Sequence, residues 1–268
     1  MSTNLKLFLF AHQRETIEKG VDQGFEDFMV DCEWRGKVER QTGADTDTSF
    51  ATMAQLTETS SIKNAEINCR INCFGPWTDD EIETAVAAGV TRIFLPMVRT
   101  VGEVEHFIRK IDDRAQPMIL VETDEAVKLA PQLARLPLAG VYVGLNDLAI
   151  SRGYRFIFKP IIDGTLDYLR EKLSGLAFGF GGVTLLGHGF PIPVELLLAE
   201  MHRLDCDFSF LRRSFYRDSK DKDVREEIEK LHRYWRHLDI AERHYLATRK
   251  KELDDVVATM VATTTDQC

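Results

Sequence analysis

The segment Pro117–Gly153, PMILVETDEAVKLAPQLARLPLAGVYVGLNDLAISRG, decides the fold of this chain. It begins with an apolar run that ends at Glu122, continues as a helical pattern over Thr123–Leu136, and returns to an apolar run at Gly140–Gly144. Two apolar strands that are joined by a helix pair in parallel, because the connection has to cross back over the sheet. The segment therefore predicts one strand–helix–strand unit of a parallel sheet.

The same alternation of strand and helix occurs eight times along the chain. Apolar runs of strand length lie at Leu5–Ala11, Phe25–Asp31, Glu66–Asn72, Arg92–Val98, Pro117–Glu122, Gly140–Gly144, Leu176–Gly181 and Phe208–Arg212. Helical patterns follow them, among them Asp79–Gly89, Val101–Ile111, Thr123–Leu136 and Pro193–Leu204. Eight such units in 268 residues predict an α/β fold, a single closed (β/α)₈ TIM barrel, for which about 250 residues suffice.

Two segments lie outside the repeated units. We assign residues 1–217 to the barrel core and residues 218–268 to a C-terminal helical extension. The extension carries a stripe at helical spacing, formed by Leu231, Tyr234, Trp235 and Leu238, which either covers the barrel or forms an oligomer contact. The polar segment Lys37–Phe50 is interpreted as a lid or a subunit contact, and a homo-oligomer is expected.

Composition excludes several classes of function. The chain has 34 Lys and Arg against 43 Asp and Glu, a net charge of −9, whereas a nucleic-acid binder usually carries a basic stripe. We find neither an apolar run of about 20 residues nor a signal peptide, so no membrane association is expected. The cysteines are odd in number and lack zinc-type spacing, which predicts reduced thiols and a cytoplasmic protein.

Charged and amide side chains end several of the predicted strands. They are Asp31, Glu33, Arg70, Asn72, Glu122 and Asp147. The carboxyl ends of barrel strands meet at the mouth where barrel enzymes do their chemistry. Glu122 and Asp147 follow neighbouring strands, spaced about 4.8 Å apart, and two carboxylates so placed suit Mg²⁺ or Mn²⁺. Any one of these residues alone could instead cap a helix or form a structural ion pair. Because so many of them end strands at the same mouth, a functional site is the favoured interpretation.

The second half of the chain adds a candidate anion site. The glycine-rich segment Gly179–Gly189 follows the seventh strand, and Arg212, Arg213 and Arg217 follow the eighth. Loops after these two strands form the usual phosphate site of such barrels. The site could hold a phosphate, a CoA tail or a second carboxylate, although the glycines could equally serve only to make turns, and strand alternation would point either Arg212 or Arg213 away from the barrel.

Five segments together resemble one known family. They are VDCEWRGK (30–37), CRIN (69–72), AGVTRIFLPMV (88–98), ILVET (119–123) and VGLNDLAISRG (143–153). The chain resembles the HpcH/HpaI aldolase and citrate lyase beta-subunit family of the phosphoenolpyruvate/pyruvate barrel superfamily, over roughly residues 5–155. The resemblance implies a (β/α)₈ barrel that cleaves or forms carbon–carbon bonds next to a carbonyl.

The resemblance also implies roles for single residues. Glu122 and Asp147 would bind the metal, Arg70 would contact an enolate oxygen, and Asp31 and Glu33 would lie around metal-bound water. Substrate binding is assigned to Arg70, Asn72, Gly144, Leu145, Asn146 and Arg212. His12, or alternatively His188, is a candidate base, although a lone histidine is more often structural.

Two departures from the family leave the reaction open. Trp34 stands where the aldolases have a histidine, and Gly144-Leu145-Asn146-Asp147 replaces a Gly-Pro-Ala-Asp turn. We therefore expect a divalent-metal-dependent carbon–carbon lyase or aldolase that acts through an enolate of pyruvate or a similar small anionic oxoacid. The alternatives are a citrate-lyase-like or condensing enzyme that uses an acyl-CoA, and a barrel that binds a ligand without catalysis.

Overall fold

The computed structural model describes residues 4–36 and 50–265. Its strands form a closed barrel in which every neighbouring pair is parallel and the order follows the sequence, so that β8 pairs with β1. The strands are β1 (Lys6–Phe10), β2 (Asp27–Asp31), β3 (Glu66–Arg70), β4 (Arg92–Leu95), β5 (Gln116–Val121), β6 (Gly140–Val143), β7 (Ala177–Phe180) and β8 (Phe208–Phe210). The predicted (β/α)₈ barrel is confirmed.

Helices connect the strands and surround them. They are α1 (Arg14–Asp22), α2 (Met53–Thr59), α3 (Thr78–Ala88), α4 (Val101–Ile111), α5 (Asp124–Leu133), α6 (Leu145–Ser151), α7 (Thr165–Lys172), α8 (Val194–Arg203), α9 (Ser214–Asp218), α10 (Val224–Asp239) and α11 (Arg243–Thr265). A short 3₁₀ helix, Lys159–Ile161, precedes α7. Gly89 ends α3 in the left-handed conformation, with φ of 78°, which glycine adopts without steric cost.

Apolar side chains fill both faces of the barrel wall, as the near-continuous apolar strands predict. One cluster fills the interior and consists of Phe8, Met29, Phe94, Met118, Leu120, Tyr142, Phe208 and Phe210. A second, larger cluster lies between the strands and the helices. Because the interior is packed with aromatic rings, the open space of the barrel lies above them, at the carboxyl ends of the strands.

The strands are shorter at their carboxyl ends than the apolar runs suggest. β3 ends at Arg70 rather than at Asn72, and β8 ends at Phe210 rather than at Arg212. Beyond these ends only single backbone hydrogen bonds continue, such as the one of 2.9 Å from the Leu211 N–H to the Phe8 carbonyl oxygen, and the chain no longer forms a regular strand. Alternation between two faces therefore no longer applies to residues after these points.

The C-terminal helices pack on the barrel of the same chain. Leu231, Trp235 and Leu238 of α10 are buried, and the Tyr234 hydroxyl donates a hydrogen bond of 3.4 Å to the Glu195 carbonyl oxygen in α8. Leu253 and Val257 of α11 are fully buried. The stripe thus covers this chain's own helices. The segment predicted as a lid lies outside the described residues except for Phe50, and none of the described helices is long and apolar enough to span a membrane.

Candidate active site

A cavity of about 970 Å³ opens at the carboxyl ends of the barrel strands. Its wall includes residues in or just after the carboxyl ends of β1, β2, β3, β5, β6, β7 and β8, so almost the whole circumference contributes. Several of the predicted site residues line it, namely His12, Asp31, Arg70, Glu122, Gly144, Leu145, Asn146, Asp147 and Arg212. The fold thus brings together side chains that are far apart in the sequence.

The two predicted metal ligands share this cavity. Glu122 follows β5 directly, and Val121 and Val143 are partners in the β5–β6 ladder, so Glu122 lies beside Gly144. Asp147 lies in the first turn of α6, three residues beyond Gly144, rather than at the strand end itself. The helix turns the Asp147 carboxyl back toward the mouth, and the two carboxylates interact electrostatically.

Glu122 is buried in an environment that disfavours its charge. Its side chain is only 3% exposed, and one oxygen, Oε2, accepts a hydrogen bond of 3.1 Å from the Met97 backbone N–H. Burial raises the pKa of Glu122 to about 8, with further contributions from the carboxylates of Asp147 and Glu33, while Arg70 opposes the rise. The carboxyl group therefore keeps its proton at neutral pH unless a cation replaces it.

The contact with Met97 is made by a strained residue. Met97 has a φ of 55°, a left-handed conformation that costs a non-glycine residue about 1–3 kcal/mol. That conformation brings its N–H to the Glu122 carboxylate. Strain of this kind is retained where the surrounding structure requires it, and here it fixes the orientation of a buried acid.

Arg70 is held by two carboxylates, Asp31 on the cavity wall and Glu33 behind it. Its Nε and Nη2 donate to the two oxygens of Asp31 at 2.9 and 2.7 Å, and Glu33 Oε2 lies 3.4 Å from Nε. Burial alone would lower the pKa of Arg70, but the carboxylates of Asp31 and Glu33 outweigh burial and raise it. Nη1 has no bonded acceptor among the described residues, so one corner of the fork remains for a substrate oxygen.

Glu33 and Asn72 lie behind the site rather than on the cavity wall. Both are almost fully buried, and Glu33 neighbours Arg70. The Asn72 side-chain oxygen accepts from the backbone N–H groups of Trp34 and Arg35 at 2.9 and 2.8 Å, and its Nδ2 donates to Glu81 at 2.7 Å. In this structure Asn72 ties the chain after β2 to α3, which positions Asp31 and Glu33.

Trp34 does not face the cavity. It is 44% exposed, lies 6.3 Å from the ring of Phe50, and has the Arg35 guanidinium over its face at 4.3 Å. Arg35 also lies over the ring of Trp77 at 4.1 Å, so the guanidinium stacks between two indoles. Trp34, at the position for which the resemblance implies a histidine in the aldolases, therefore packs against Phe50 and Arg35 and does not line the cavity.

The two candidate bases differ in their surroundings. His12 lines the cavity just after β1 and is partly buried. His188 lies in the glycine-rich loop, where its Nε2 is 3.0 Å from the Lys222 amine and its Nδ1 is 3.9 Å from Asp218. His188 does not line the cavity in the part of the chain that the structure describes. Of the two, only His12 is placed to reach a bound molecule.

Arg212 and Arg213 both line the cavity, contrary to strict alternation, because β8 ends at Phe210 and the chain then turns into α9. Arg212 is half-buried and Arg213 is exposed. Arg217 points elsewhere: its side chain is 79% exposed and pairs with Asp218 at 3.1 Å. Gly182 permits this arrangement, since an added Cβ there would lie 3.3 Å from the Cβ of Arg212.

Sequence reasoning missed the aromatic floor of the cavity. Tyr142 stacks on Phe210 with ring centroids 3.9 Å apart, and Phe10 packs edge-on against Phe210 at 5.3 Å. The Tyr142 hydroxyl donates to the Gly181 carbonyl, and burial raises the pKa of Tyr142 above its ordinary value. Strand alternation from Val141 and Val143, which face the helices, was the signal that could have placed Tyr142 in the interior.

The donor set fits a hard divalent cation. Among the described residues no group of three or more His, Cys, Asp or Glu side chains is arranged as a complete metal site. Mg²⁺ nevertheless needs only one or two carboxylates, because it keeps several of its waters. Glu122 and Asp147 meet that requirement, and a cation would remove the repulsion that favours the protonated form of Glu122.

Gly144 packs closely against the Glu122 side chain and leaves no space for a Cβ atom. Gly144→Ala therefore tests the position of the Glu122 carboxylate. A Cβ at this position would lie 2.4 Å from Glu122 Oε1, although the backbone φ of −83° suits any residue. We expect Gly144→Ala to displace the carboxylate and weaken Mn²⁺ binding about tenfold or more, as measured by calorimetric titration.

The matched control for this variant is Gly175→Ala, since no atom lies within 4 Å of the added Cβ. We expect Gly175→Ala to bind Mn²⁺ like the parent. Unchanged Mn²⁺ affinity in Gly144→Ala would show that the Glu122 carboxylate does not bind the metal in the conformation described.

Comparison with solved structures supports the fold. CitE from Mycobacterium tuberculosis, solved in complex with magnesium and pyruvate, matches with a TM-score of 0.62 at 15% identity, covering 94% of this chain and 98% of that chain. A citrate lyase from Burkholderia xenovorans LB400 matches with a TM-score of 0.60 at 14% identity, over 86% and 76% of the two chains. RipC from Yersinia pestis matches with a TM-score of 0.56 at 14% identity, over 87% and 96%.

Comparisons of the amino-acid sequence give no match. No protein-family model and no curated protein sequence matches the chain. These three structures, together with citrate synthase SbnG and macrophomate synthase, are 11–15% identical to this chain. At this level the comparison shows that the chain has the fold of these proteins, which is the fold that the resemblance in sequence implied.

Proposed function

We propose that this protein is a divalent-metal-dependent carbon–carbon lyase or aldolase of the HpcH/HpaI and citrate lyase beta-subunit type, which acts through the enolate of a small oxoacid. The observation that carries the proposal is the convergence of Glu122, Asp147 and Arg70 on one cavity. The fold alone does not imply this chemistry, since barrels of this kind serve many reactions. Two carboxylates beside a positioned guanidinium match the needs of an enolate, which develops negative charge on oxygen.

Glu122 and Asp147 would hold the cation. When bound, Mg²⁺ or Mn²⁺ supplies a Lewis acid that polarises the carbonyl of the oxoacid. CitE from M. tuberculosis was solved in complex with magnesium and pyruvate, which supports the choice of both metal and oxoacid here. We assign Gly144, Leu145 and Asn146 to the substrate-binding turn, because they line the cavity beside the two acids.

Arg70 would stabilise the oxygen on which charge develops. Asp31 fixes the guanidinium through two hydrogen bonds, so the side chain is preorganised and loses little entropy when a substrate arrives. The free Nη1 would then donate to the enolate oxygen. His12 would move the proton at the carbon next to the carbonyl, since it lines the same cavity and His188 does not.

The experiment that tests the proposal is hydrogen–deuterium exchange at C3 of pyruvate, followed by NMR in deuterated buffer. We expect exchange that requires both the protein and Mg²⁺ or Mn²⁺. Addition of acetyl-CoA distinguishes the alternative, because a citrate-lyase-like or condensing enzyme would depend on the thioester. Metal binding without any exchange, with or without the thioester, would contradict an enolate mechanism and favour a barrel that only binds a ligand.

We further expect metal affinity to depend on pH. Metal-free Glu122 holds a proton below its pKa of about 8, well above the ordinary 4.5, so the cation has to displace that proton. The dissociation constant for Mn²⁺ should therefore rise by up to about tenfold for each pH unit below 8 and level off above it.

Calorimetry in two buffers of different ionisation enthalpy measures the proton that is released. We expect about one proton per Mn²⁺ at pH near 7. The Glu125→Gln variant keeps Glu122 and its proton, and it serves as the control in which the same proton release is expected. Metal binding that releases no proton at neutral pH would show that the Glu122 carboxyl group is not displaced by the metal.

A further inference from the structure

A carboxylate outside the cavity, that of Glu81, is bound to the residues behind Arg70 through one amide side chain. Glu81 lies in the first turn of α3, is half-buried and does not line the cavity. Its Oε2 accepts a hydrogen bond of 2.9 Å from the Asn72 backbone N–H, and its Oε1 accepts one of 2.7 Å from Asn72 Nδ2. Both carboxylate oxygens thus bind the same residue, which is almost fully buried.

The Asn72 side chain carries this orientation to the chain after β2. Its Oδ1 accepts from the backbone N–H groups of Trp34 at 2.9 Å and Arg35 at 2.8 Å. A carboxylate offers only acceptors, so Nδ2 has to face Glu81 and Oδ1 has to face the two N–H groups. A reversed amide would set its NH₂ group against two N–H donors in a buried site, which is unfavourable. Glu81 therefore fixes the direction of the Asn72 amide.

The segment that Asn72 holds carries the two acids that position Arg70. Asp31 binds the Nε and Nη2 of Arg70, and its Oδ1 also accepts a hydrogen bond of 3.2 Å from the Glu33 backbone N–H. The Glu33 carboxylate lies 3.4 Å from Arg70 Nε, and Glu33 directly precedes Trp34. A shift of this segment would move both carboxylates and change the direction of the guanidinium fork.

We propose that Glu81 is a positioning residue for the reaction, which fixes the Asn72 amide, through it the segment after β2, and thereby the fork of Arg70. The inference rests on the proposed function and adds to it a residue from outside the cavity. Negative charge develops on the enolate oxygen as the reaction proceeds. A misdirected fork therefore lowers the turnover number more than it raises the KM for pyruvate.

Glu81→Gln tests the proposal, because it keeps the shape of the side chain and removes its acceptor-only character. The introduced amide can donate to Asn72 Oδ1, so the Asn72 amide is able to reverse. In pyruvate proton exchange at saturating Mg²⁺ we expect kcat to fall about tenfold or more, with KM within about twofold. By NMR, the backbone N–H groups of Trp34 and Arg35 should exchange with deuterated solvent about tenfold faster than in the parent.

A second substitution tests the polarity of the pair. When Glu81→Gln is combined with Asn72→Asp, the amide and the carboxylate change places. The introduced carboxylate can accept from both backbone N–H groups and from the introduced amide. We expect the double variant to recover most of the lost kcat and the slow N–H exchange. Asn72→Asp alone sets two carboxylates against each other and should lower kcat at least as much as Glu81→Gln.

Glu83→Gln is the matched control. Glu83 lies two residues further along α3, does not line the cavity, and pairs with Arg114 at 2.8 Å and Lys110 at 2.9 Å. We expect parental kcat, KM and exchange of the Trp34 and Arg35 N–H groups. A loss of kcat in Glu83→Gln equal to that in Glu81→Gln would assign the effect to the stability of α3 and overturn the inference.

The remaining outcomes separate the inference from the proposed function. If the parent exchanges the pyruvate proton and Glu81→Gln does so with parental kcat, the proposed function stands and the inference is wrong. A kcat that is lowered in Glu81→Gln and not recovered by the added Asn72→Asp also overturns the inference. If the parent exchanges no pyruvate proton with Mg²⁺, both the proposed function and the inference are wrong.

Discussion

Glu122→Gln and Asp147→Asn are each expected to weaken Mn²⁺ binding by more than about 100-fold and to abolish pyruvate proton exchange. Each change replaces an anionic ligand by an amide of the same shape. Stability should hardly suffer, because Gln at position 122 still accepts the hydrogen bond from the Met97 N–H and removes a carboxyl group that burial disfavours. Thermal unfolding without metal checks the fold, and calorimetry with Mn²⁺ checks the binding.

Glu125→Gln is the control for this pair of variants. Glu125 lies three residues after Glu122, at the start of α5, but it is exposed and pairs with Arg99 at 3.0 Å, and it does not line the cavity. We expect it to bind Mn²⁺ like the parent. If Glu122→Gln or Asp147→Asn also retains parental affinity, the metal site has been assigned to the wrong residues.

Arg70→Lys should lower the turnover number by about 100- to 1000-fold at saturating metal, which corresponds to about 3–4 kcal/mol of transition-state stabilisation. Lysine keeps the positive charge but lacks the planar fork, which pairs two nitrogens with the two Asp31 oxygens and presents a third nitrogen to a substrate oxygen. Steady-state rates measure the effect, and Mn²⁺ titration shows whether the metal site survives.

Arg92→Lys offers a matched control at the other end of the barrel. Arg92 begins β4, is as deeply buried as Arg70, and bonds Asp27 at 2.8 Å. Residues at that end of a barrel contribute to stability rather than to chemistry. We expect Arg92→Lys to lower the melting temperature with an unchanged turnover number. A near-parental turnover number in Arg70→Lys would instead place Arg70 among the structural residues.

The sequence predicted the barrel because each unit carries its own local signal. Val101–Ile111, for example, was predicted from its helical pattern with the bounds that the structure shows, and in the structure Thr100 and Glu103 form a capping box at its start. The positions of Glu122 and Arg70 at the mouth followed from strand direction alone. Helix bounds and strand ends depend on residues that are close in sequence, so they can be predicted from one sequence.

The partners of the site residues could not be predicted in the same way. Asn72 was expected to bind substrate. In the structure its side chain is hydrogen-bonded to the backbone N–H groups of Trp34 and Arg35 and to the Glu81 carboxylate, and only Glu81 lies close to it in sequence. The stacking of Arg35 between Trp34 and Trp77 likewise depends on where two loops meet. Such contacts are set by tertiary packing, for which local periodicity carries no signal.

The seam between β1 and β8 has a consequence for how the chain reaches this structure. Lys6, Leu7 and Phe8 pair with Phe208, Ser209 and Phe210, so the first strand acquires its second neighbour only from a segment some 200 residues away. Contacts of such separation form late, because the entropy of the intervening chain has to be lost first. Until then β1 and β8 are open sheet edges, and a nascent or refolding chain exposes them to self-association.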